Sequence, residues 1–304
     1  MTHLSDYSFL QRAVGLVYIY IWYIYRVYQT NGFKCLSFAS FKRLELKTIV
    51  TGLIFFMIPF QLYYDIVSCR VKYEEGFVQI GPGRIITKPE LLWTKADKDI
   101  IIPTDYSICI GFSLQTGTLL LLQCFWNYLI KLVAGARFMS SKEFKVYIIW
   151  TIVNIILFPV LQFNFSRKIY DYTYKEIMPE LVYGIELLAI SMLGVVSHFR
   201  FRRLLYQLKD HNDSAFMTSR IRYYQDLNLI LSVALFLFSS ALVVLTVDGL
   251  TEAKRLNRNK FDSDFLICNV NVGMMAVWII VILVLHPKTE TKEVVAVETA
   301  KNMV

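Results

Sequence analysis

One carboxylate stands inside an apolar stretch of this sequence, where a charged group needs a reason to be. Glu186 lies in the run 182–188, which reads VYGIELL. A charge in hydrocarbon costs several kcal/mol unless it is paired or hydrated. Glu186 is therefore predicted to bind a ligand or a cation, or to relay a proton, and Glu186→Gln is expected to lower that activity without preventing membrane insertion.

Several neutral polar residues fall at a similar depth in neighbouring apolar stretches when the rise of an α-helix is used as a ruler. The four that we assign to a ligand site together with Glu186 are Gln115, Asn154, Ser240 and Asn271; Ser239 and Asn269 lie at the same level. Two interpretations stay open. The side chains line one polar cavity, or they join helices through hydrogen bonds worth about 0.6 to 2 kcal/mol each.

A second group of residues is basic and alternates with aromatic residues. It comprises Arg200, Arg202, Arg203, Arg220 and Arg222, on either side of a polar stretch at 209–214. Such a surface suits anionic lipid headgroups first, and it also suits an acidic protein partner. We expect a partner-binding surface here and keep the lipid alternative.

Cysteine and histidine chemistry is not expected to be the function. The five cysteines contain no C-x-x-C pair and the four histidines are dispersed, so the sequence predicts no metal, no cofactor and no enzyme activity. A disulfide between Cys69 and Cys109 is predicted on the oxidising side of a membrane. The alternative is that all five cysteines are free, small apolar residues.

The segments that must position these residues are long and apolar. The chain has 304 residues, of which 56% are hydrophobic and only 18% charged, whereas soluble domains carry about 25% charged residues. A helix needs about 20 apolar residues to cross a bilayer. Seven segments fit, at 9–28, 46–64, 107–130, 144–162, 180–198, 227–247 and 265–286.

These segments predict an all-α, polytopic membrane protein that forms a single seven-helix transmembrane domain over residues 1–304. Lys and Arg are dense in the short connections after the first and third segments, which places those connections and the tail 287–304 in the cytosol and the N-terminus outside. The longest connection, 65–106, contains two β-like runs around Gly81-Pro82-Gly83 and predicts a β-hairpin, with an irregular loop as the alternative.

Seven helices, an outside N-terminus and a basic penultimate cytosolic connection resemble the G-protein-coupled receptors along the whole chain. The motifs differ, because the third segment ends WNYLIK (126–131) where rhodopsin-like receptors have Asp-Arg-Tyr, and the seventh ends LHP (285–287) without Asn-Pro-x-x-Tyr. The runs SRIRYY (219–224), VDGL (247–250) and NKF (259–261) are similar to fungal seven-helix proteins of the regulator-of-G-protein-signalling type, mainly over residues 198–287.

The resemblance implies a receptor-like protein of the plasma membrane that senses an unknown extracellular ligand and signals through cytosolic loops to a heterotrimeric G protein. Two other functions stay open. One is a small-solute or proton-coupled transporter that uses the same polar residues, and the other is a non-catalytic membrane organiser. The lipid bilayer is an expected partner in every case, and nucleic acid is not.

Overall fold

The computed structural model describes residues 6–33, 36, 46–79, 85–88, 90–133, 142–167, 169–170, 172–208 and 215–286. Most of these residues are helical. The long helices are α1 (Asp6–Asn31), α2 (Leu46–Glu75), α3 (Lys95–Val133), α4 (Lys142–Phe165), α5 (Tyr172–Leu208), α6 (Ala215–Leu250) and α7 (Lys260–Leu285). The short elements are strands β1 (Phe77–Gln79) and β2 (Ile85–Thr87), a 3-10 turn at Glu90–Leu92 and one helical turn at Arg255–Arg258.

The predicted all-α class is confirmed, and six of the helices are long and apolar enough to cross a membrane. They are α2 to α7. The protein is therefore a multi-pass membrane protein. Helix α1 is continuous over 26 residues, but it is rich in tyrosine and less apolar than the other six.

Six of the predicted segments lie within a helix and the seventh, 265–286, ends one residue beyond α7, but most of the helices extend further than the hydropathy indicates. The largest correction concerns the connection predicted at 65–106. Helix α2 continues to Glu75 and α3 begins at Lys95, so only residues 76–94 connect them. The backbone hydrogen bonds of a helix continue past the apolar window into residues of mixed polarity, which a hydropathy boundary does not detect.

The connection between α2 and α3 is tied to the ends of both helices. Strands β1 and β2 pair antiparallel, with Phe77 opposite Thr87, while the turn at 80–84 lies outside the described residues. The Glu75 carboxylate accepts hydrogen bonds from the Lys88 ammonium group and from the Thr94 backbone N–H, each at 2.5 Å. Trp93 packs in a small apolar cluster with residues of α2 and α3. These contacts fix the pair of strands over one end of the bundle.

Successive helices run in opposite directions, which gives the bundle two distinct ends. We call the end that carries the strand pair, the start of α1 and the start of α7 the hairpin end, after the predicted hairpin. The opposite end, with the end of α1, the end of α5 and the start of α6, is the basic end. Pairs such as Ser107 Oγ donating to the Phe60 carbonyl at 2.8 Å set the register between neighbouring helices.

Helices α5 and α6 form the most extensive helix pair in the bundle. Their close approach depends on Gly194, where an added Cβ would lie 2.2 Å from Ser232 Oγ. Asn228 Nδ2 donates to the Gly194 carbonyl at 2.8 Å, and Ser191 Oγ donates to the Ser232 carbonyl at 3.0 Å. Small residues and interhelical hydrogen bonds are the usual means by which helices associate where hydrocarbon supplies no hydrophobic driving force.

Candidate functional site

A chain of buried polar side chains crosses the middle of the bundle. The Tyr183 hydroxyl of α5 donates to Gln115 Oε1 of α3, and Gln115 Nε2 donates to Gln61 Oε1 of α2. Gln61 Nε2 in turn lies 3.0 Å from Met274 Sδ of α7. We call Gln61, Gln115 and Tyr183 the polar column. It couples four helices through side chains that are almost completely buried.

Aromatic rings fix the position of Tyr183 in the column. Its ring stacks on Phe112 with the centroids 4.1 Å apart, and it meets Phe158 and Phe238 edge-on at 6.3 Å and 6.1 Å. Offset and edge-to-face pairs of this kind add about 0.5 to 1.5 kcal/mol beyond the area that they bury. The hydroxyl is therefore aimed at Gln115 by the packing of α3, α4 and α6 around its ring.

A buried ion pair lies next to the column on the side of the hairpin end. Arg12 Nε of α1 lies 2.7 Å from Asp65 Oδ1 of α2, and the Asp65 side chain has no exposed surface. The guanidinium also lies over the rings of Phe9 and Tyr64, at 5.2 Å and 5.7 Å from their centroids. A buried pair of this kind keeps its partners together, because removal of either leaves an uncompensated charge.

A second contact joins α1 to α7 at the same level. Asn271 Nδ2 donates to Ser8 Oγ at 2.9 Å, and Ser8 lies one turn from Arg12. Asp65 lies one turn from Gln61, and Asn271 lies about one turn from Met274 in the same direction, because α2 and α7 are antiparallel. We call Ser8, Arg12, Asp65, Ser68 and Asn271 the corner site. It continues the polar column toward the hairpin end.

The corner site contains three buried oxygen atoms without a hydrogen-bond partner. They are Asp65 Oδ2, Ser68 Oγ and Asn271 Oδ1. An unsatisfied buried polar atom costs about 1 to 3 kcal/mol. Two of the three are acceptors only, and the third is a hydroxyl that also accepts. The site can therefore receive hydrogen bonds from a ligand or from water.

Charged residues surround the approach to this region from the hairpin end. Lys175 Nζ of α5 lies 2.6 Å from Asp105 Oδ2 of α3 and 3.9 Å from Glu90 Oε1 in the 3-10 turn. Burial raises the pKa of the Glu90 carboxyl, and the neighbouring Lys175 opposes that rise. Glu180 lies between Lys175 and Tyr183 on α5, about one turn from Tyr183, and it interacts electrostatically with Arg12. The approach thus carries both signs of charge.

The structure places the five predicted ligand residues in separate surroundings. Gln115 lies in the polar column and Asn271 in the corner site. Asn154 Nδ2 donates to Glu186 Oε2 at 2.9 Å in the seam between α4 and α5, where Trp150 also hydrogen-bonds to Glu186. Ser240 donates to the Leu237 carbonyl of its own helix at 3.2 Å. Among the residues that the structure describes, no hydrogen bond joins Glu186 or Ser240 to the column.

An apolar groove opens between α2 and α3 in the half of the bundle near the hairpin end. Its volume is about 840 Å³. It is lined by Phe56, Pro59, Phe60, Tyr63, Ile102, Pro103, Tyr106, Ser107 and Ile110, and includes none of the predicted ligand residues. The lining suits hydrocarbon, and the Ser107 hydroxyl is already bonded to the Phe60 carbonyl.

The predicted disulfide between Cys69 and Cys109 is wrong. Cys109 is a buried thiol whose Sγ lies 3.8 Å from Gln162 Oε1 of α4. The contact between Ser107 and Phe60 sets the register of α2 and α3, and Cys69 lies nine residues beyond Phe60, about 13 Å further toward the hairpin end. A disulfide requires Cα atoms less than about 7 Å apart. Because the prediction placed Cys69 in a loop, it ignored this fixed separation.

The half of the bundle near the basic end is closed by aromatic side chains. Trp126 of α3 has no exposed surface and contacts Phe201 of α5 and Tyr224 of α6, with ring centroids 5.8 Å and 5.6 Å apart. We call these three residues the aromatic layer. It separates the polar column from the basic end.

The predicted partner-binding arginines lie beyond the aromatic layer. Arg202, Arg203 and Arg222 are exposed at the basic end. Arg200 is also exposed, and its Nη1 donates to Asn127 Oδ1 at 3.0 Å. Arg220 belongs to α6, but its side chain lies outside the described residues. The exposed arginines of α5 and α6 are thus available to an acidic surface.

Sequence reasoning missed Arg12, Gln61, Asp65 and Ser68. A signal for three of them was present, since Gln61, Asp65, Ser68 and then Lys72 recur at spacings of four, three and four residues and so share one face of α2. That pattern was hidden because Asp65 was assigned to the start of a loop.

Comparisons of the chain with protein-family models, curated proteins and solved structures find no match.

Proposed function

We propose that this chain is a seven-span, receptor-like membrane protein that binds a small polar ligand at the corner site and responds at the basic end. The observation that carries the proposal is the set of unpartnered oxygens of Asp65, Ser68 and Asn271 beside the polar column. A ligand with hydroxyl, amine or amide N–H groups would supply the hydrogen bonds that these oxygens lack.

The geometry of α1 supports a seventh crossing. Its exposed face is apolar or aromatic from Tyr7 to Tyr28, a length of about 32 Å at 1.5 Å per residue, close to the 30 Å or so of bilayer hydrocarbon. The exposed residues are Tyr7, Leu10, Val14, Val17, Tyr18, Ile21, Tyr25 and Tyr28. Tyrosines at both ends suit the two membrane interfaces. In this proposal the hairpin end is outside the cell membrane and the basic end faces the cytosol.

The proposed signal is a change in helix packing, because the aromatic layer leaves the ligand site without a direct connection to the basic end. Tyr183 belongs to α5. Gln115 of α3 and Gln61 of α2 connect it to α2, the helix that carries Asp65 and Ser68 of the corner site. A ligand that binds at the corner site changes the hydrogen bonds of the polar column and thereby favours another packing of α5 against α6. That change reaches Arg202, Arg203 and Arg222, where a heterotrimeric G protein is the proposed partner.

A proton-coupled transporter is the second candidate, and one observation favours it. The Glu186 carboxylate lies in a seam of the bundle and accepts a hydrogen bond from Asn154, whose own Oδ1 has no partner. A carboxylate so placed within a membrane protein is typical of proton relays. The transporter proposal predicts that Glu186→Gln abolishes solute-dependent proton uptake into proteoliposomes.

Ser68 offers a direct test of the receptor proposal. The purified protein is screened by thermal shift against a panel of small alcohols, amino alcohols and amides, and the hits are retested on Ser68→Ala. We expect about tenfold weaker binding, equal to about 1.4 kcal/mol, because the variant removes one partner of the ligand. Ser240→Ala is the matched control, since the Ser240 hydroxyl already bonds within its own helix.

The outcome at the basic end separates the candidate functions. For the receptor, a hit that depends on Ser68 increases co-purification of a heterotrimeric G protein, and charge reversal of Arg202 and Arg203 abolishes it. Hits that bind equally well to Ser68→Ala contradict the proposed site. Solute flux that requires Glu186 supports the transporter, and an absence of both responses supports a membrane organiser.

A further inference from the structure

Arg26 is a buried cation at the basic end of α1. The residue is only 6% exposed. Its guanidinium lies over the ring of Trp22, 5.4 Å from the ring centroid. The Nε atom has no hydrogen-bond partner, and within the described residues Arg26 forms no ion pair. Buried charges in proteins are normally paired and hydrogen-bonded, so among the described residues this guanidinium lacks an anion.

Two further groups, from α2 and the end of α7, converge on Arg26. His286 follows the last residue of α7 and has no exposed surface, and Lys47 lies in the first turn of α2. Burial, assisted by the charges of Lys47 and Arg26, lowers the pKa of His286 to about 4. We call Trp22, Arg26, Lys47 and His286 the arginine crevice. It contains two positive charges around a neutral imidazole.

The tautomer of His286 follows from its neighbour. His286 Nε2 lies 3.4 Å from Thr51 Oγ1, and that hydroxyl gives its own proton to the Lys47 carbonyl at 2.7 Å. Nε2 therefore carries the imidazole proton, and Nδ1 is an acceptor that has no partner. The crevice thus offers an unused donor on Arg26 and an unused acceptor on His286.

These two unused groups define the chemistry of a complementary ligand. A phosphate oxygen would accept from Arg26 Nε and balance the positive charge, since guanidinium and phosphate match in charge and geometry. A hydroxyl group on the same ligand would donate to His286 Nδ1. The crevice lies where the end of α1, the start of α2 and the end of α7 meet at the basic end of the bundle. Basic pockets between helix ends bind anionic headgroups.

We propose that the arginine crevice binds a phosphate ester that carries a hydroxyl group, as an anionic phospholipid headgroup of the phosphatidylinositol or phosphatidylglycerol class does. Arg26 and Lys47 bind the phosphate, and His286 orients the headgroup by accepting from its hydroxyl. The bound lipid joins the ends of α1, α2 and α7. This site is independent of the corner site, which lies at the opposite end of the bundle.

The test uses the full chain, delipidated in a neutral detergent, with thermal unfolding as the readout. Dioctanoyl phosphatidylinositol is titrated beside dioctanoyl phosphatidylcholine and inorganic phosphate. We expect a rise in Tm of several degrees with phosphatidylinositol and none with phosphatidylcholine. Arg26→Gln should weaken the apparent affinity at least tenfold, whereas Arg202→Gln, an exposed arginine at the same end, should leave it unchanged.

Two further variants separate the contributions of the crevice. Arg26→Lys keeps the charge but removes the Nε donor, so it should also weaken binding of phosphatidylinositol. This variant serves as the test if Arg26→Gln does not fold. His286→Phe should remove the preference for phosphatidylinositol over dioctanoyl phosphatidic acid, which lacks the headgroup hydroxyls. Stabilisation by inorganic phosphate alone, dependent on Arg26, would overturn the lipid as the source. An equal loss in Arg26→Gln and Arg202→Gln would overturn the site altogether.

Discussion

The corner site and the contact between α5 and α6 hold their helices together in different ways. Near the hairpin end, the corner site leaves oxygens of Asp65, Ser68 and Asn271 without partners. Around the middle of the α5–α6 pair, toward the basic end, polar side chains bond to backbone atoms of the neighbouring helix, as Asn228 does to Gly194 and Ser191 to Ser232. The oxygens of the corner site therefore gain free energy from a further partner. The α5–α6 contact is fixed mainly by the close approach of the two helices at Gly194, although Asn228 Oδ1 also lacks a partner there.

The contrast explains how one end of the molecule can respond while the other stays closed. The hairpin half depends on hydrogen bonds between side chains, which rearrange at little steric cost. The basic half depends on close contact at Gly194 and on the aromatic layer, which tolerate few alternatives. A movement that begins near the column therefore reaches the basic end as a shift of whole helices.

The largest expected effect comes from the ion pair of the hairpin half. Asp65→Asn leaves Arg12 as an uncompensated buried cation and should destabilise the protein by about 3 to 5 kcal/mol. Thermal unfolding in detergent measures the loss. The double variant Arg12→Met with Asp65→Leu removes both charges and should recover much of it. A single variant as stable as the parent protein would show that the pair does not hold α1 against α2.

Acid should destabilise the basic half through His286. The folded-state pKa of about 4 lies below the ordinary value near 6.5, so the unfolded chain binds a proton in the window between them and the folded chain does not. Stability is complete above pH 6.5 and falls as the pH decreases toward 4, by about 2 kcal/mol between pH 7 and pH 5.

The groups that set this response are Lys47 of α2, Arg26 of α1 and the burial of the imidazole itself. Tyr223 of α6 also lies within the field of Arg26 and stays neutral over this range. The measurement is Tm against pH for the parent protein and for His286→Gln, which should show a smaller decrease. Identical profiles for the two proteins would contradict this origin of the acid response.

The fixed packing of α5 against α6 can be tested with two glycines. Gly194→Ala places a Cβ 2.2 Å from Ser232 Oγ, and we expect a loss of about 1 to 3 kcal/mol because the helices must separate. Gly111→Ala is the matched control, since its nearest contact is 3.9 Å from the added Cβ. The control should be neutral or stabilising through its higher helix propensity. If both variants behave alike, close approach does not limit this interface.

The smallest effects should distinguish the column from its surroundings. Tyr183→Phe removes the donor to Gln115 Oε1 and should cost about 1 to 2 kcal/mol. Ser240→Ala removes a hydroxyl that bonds only within α6 and should change stability by less than about 0.5 kcal/mol. Thermal unfolding of the two variants side by side provides the comparison. A larger loss of stability in Ser240→Ala than in Tyr183→Phe would show that the depth of a polar side chain in the bundle, and not its place in the polar column, determines the loss.

The sequence predicted the helices well because apolar runs of sufficient length are strongly determined by the membrane. It did not predict which polar residues meet, because rotation about a helix axis is set by packing, and hydropathy contains no information about rotation. Glu186 and Tyr183 are one turn apart on α5, yet one bonds to α4 and the other to α3.

Two of the residues that sequence reasoning missed, Arg12 and Asp65, share one cause. Arg12 and Asp65 lie close to the predicted ends of their segments, where charges are ordinarily exposed. Only the neutralisation of each by the other allows them to be buried, and that pairing joins positions 53 residues apart. Neither residue alone indicates its partner in the sequence. The three- and four-residue spacing of polar residues along α2, in contrast, does indicate that they share one face of that helix.

Helix α1 illustrates how contacts along a helix affect the order in which a membrane protein is assembled. Its own sequence is the least apolar of the long helices, and its partners include Asn271 near the start of α7 and His286 just after its end. Since α7 follows the other six helices along the chain, α1 acquires these contacts only after α7 has been synthesised. Helix α1 can therefore dock on α2 early, through the Arg12–Asp65 pair, and its contacts are complete only when α7 has been inserted.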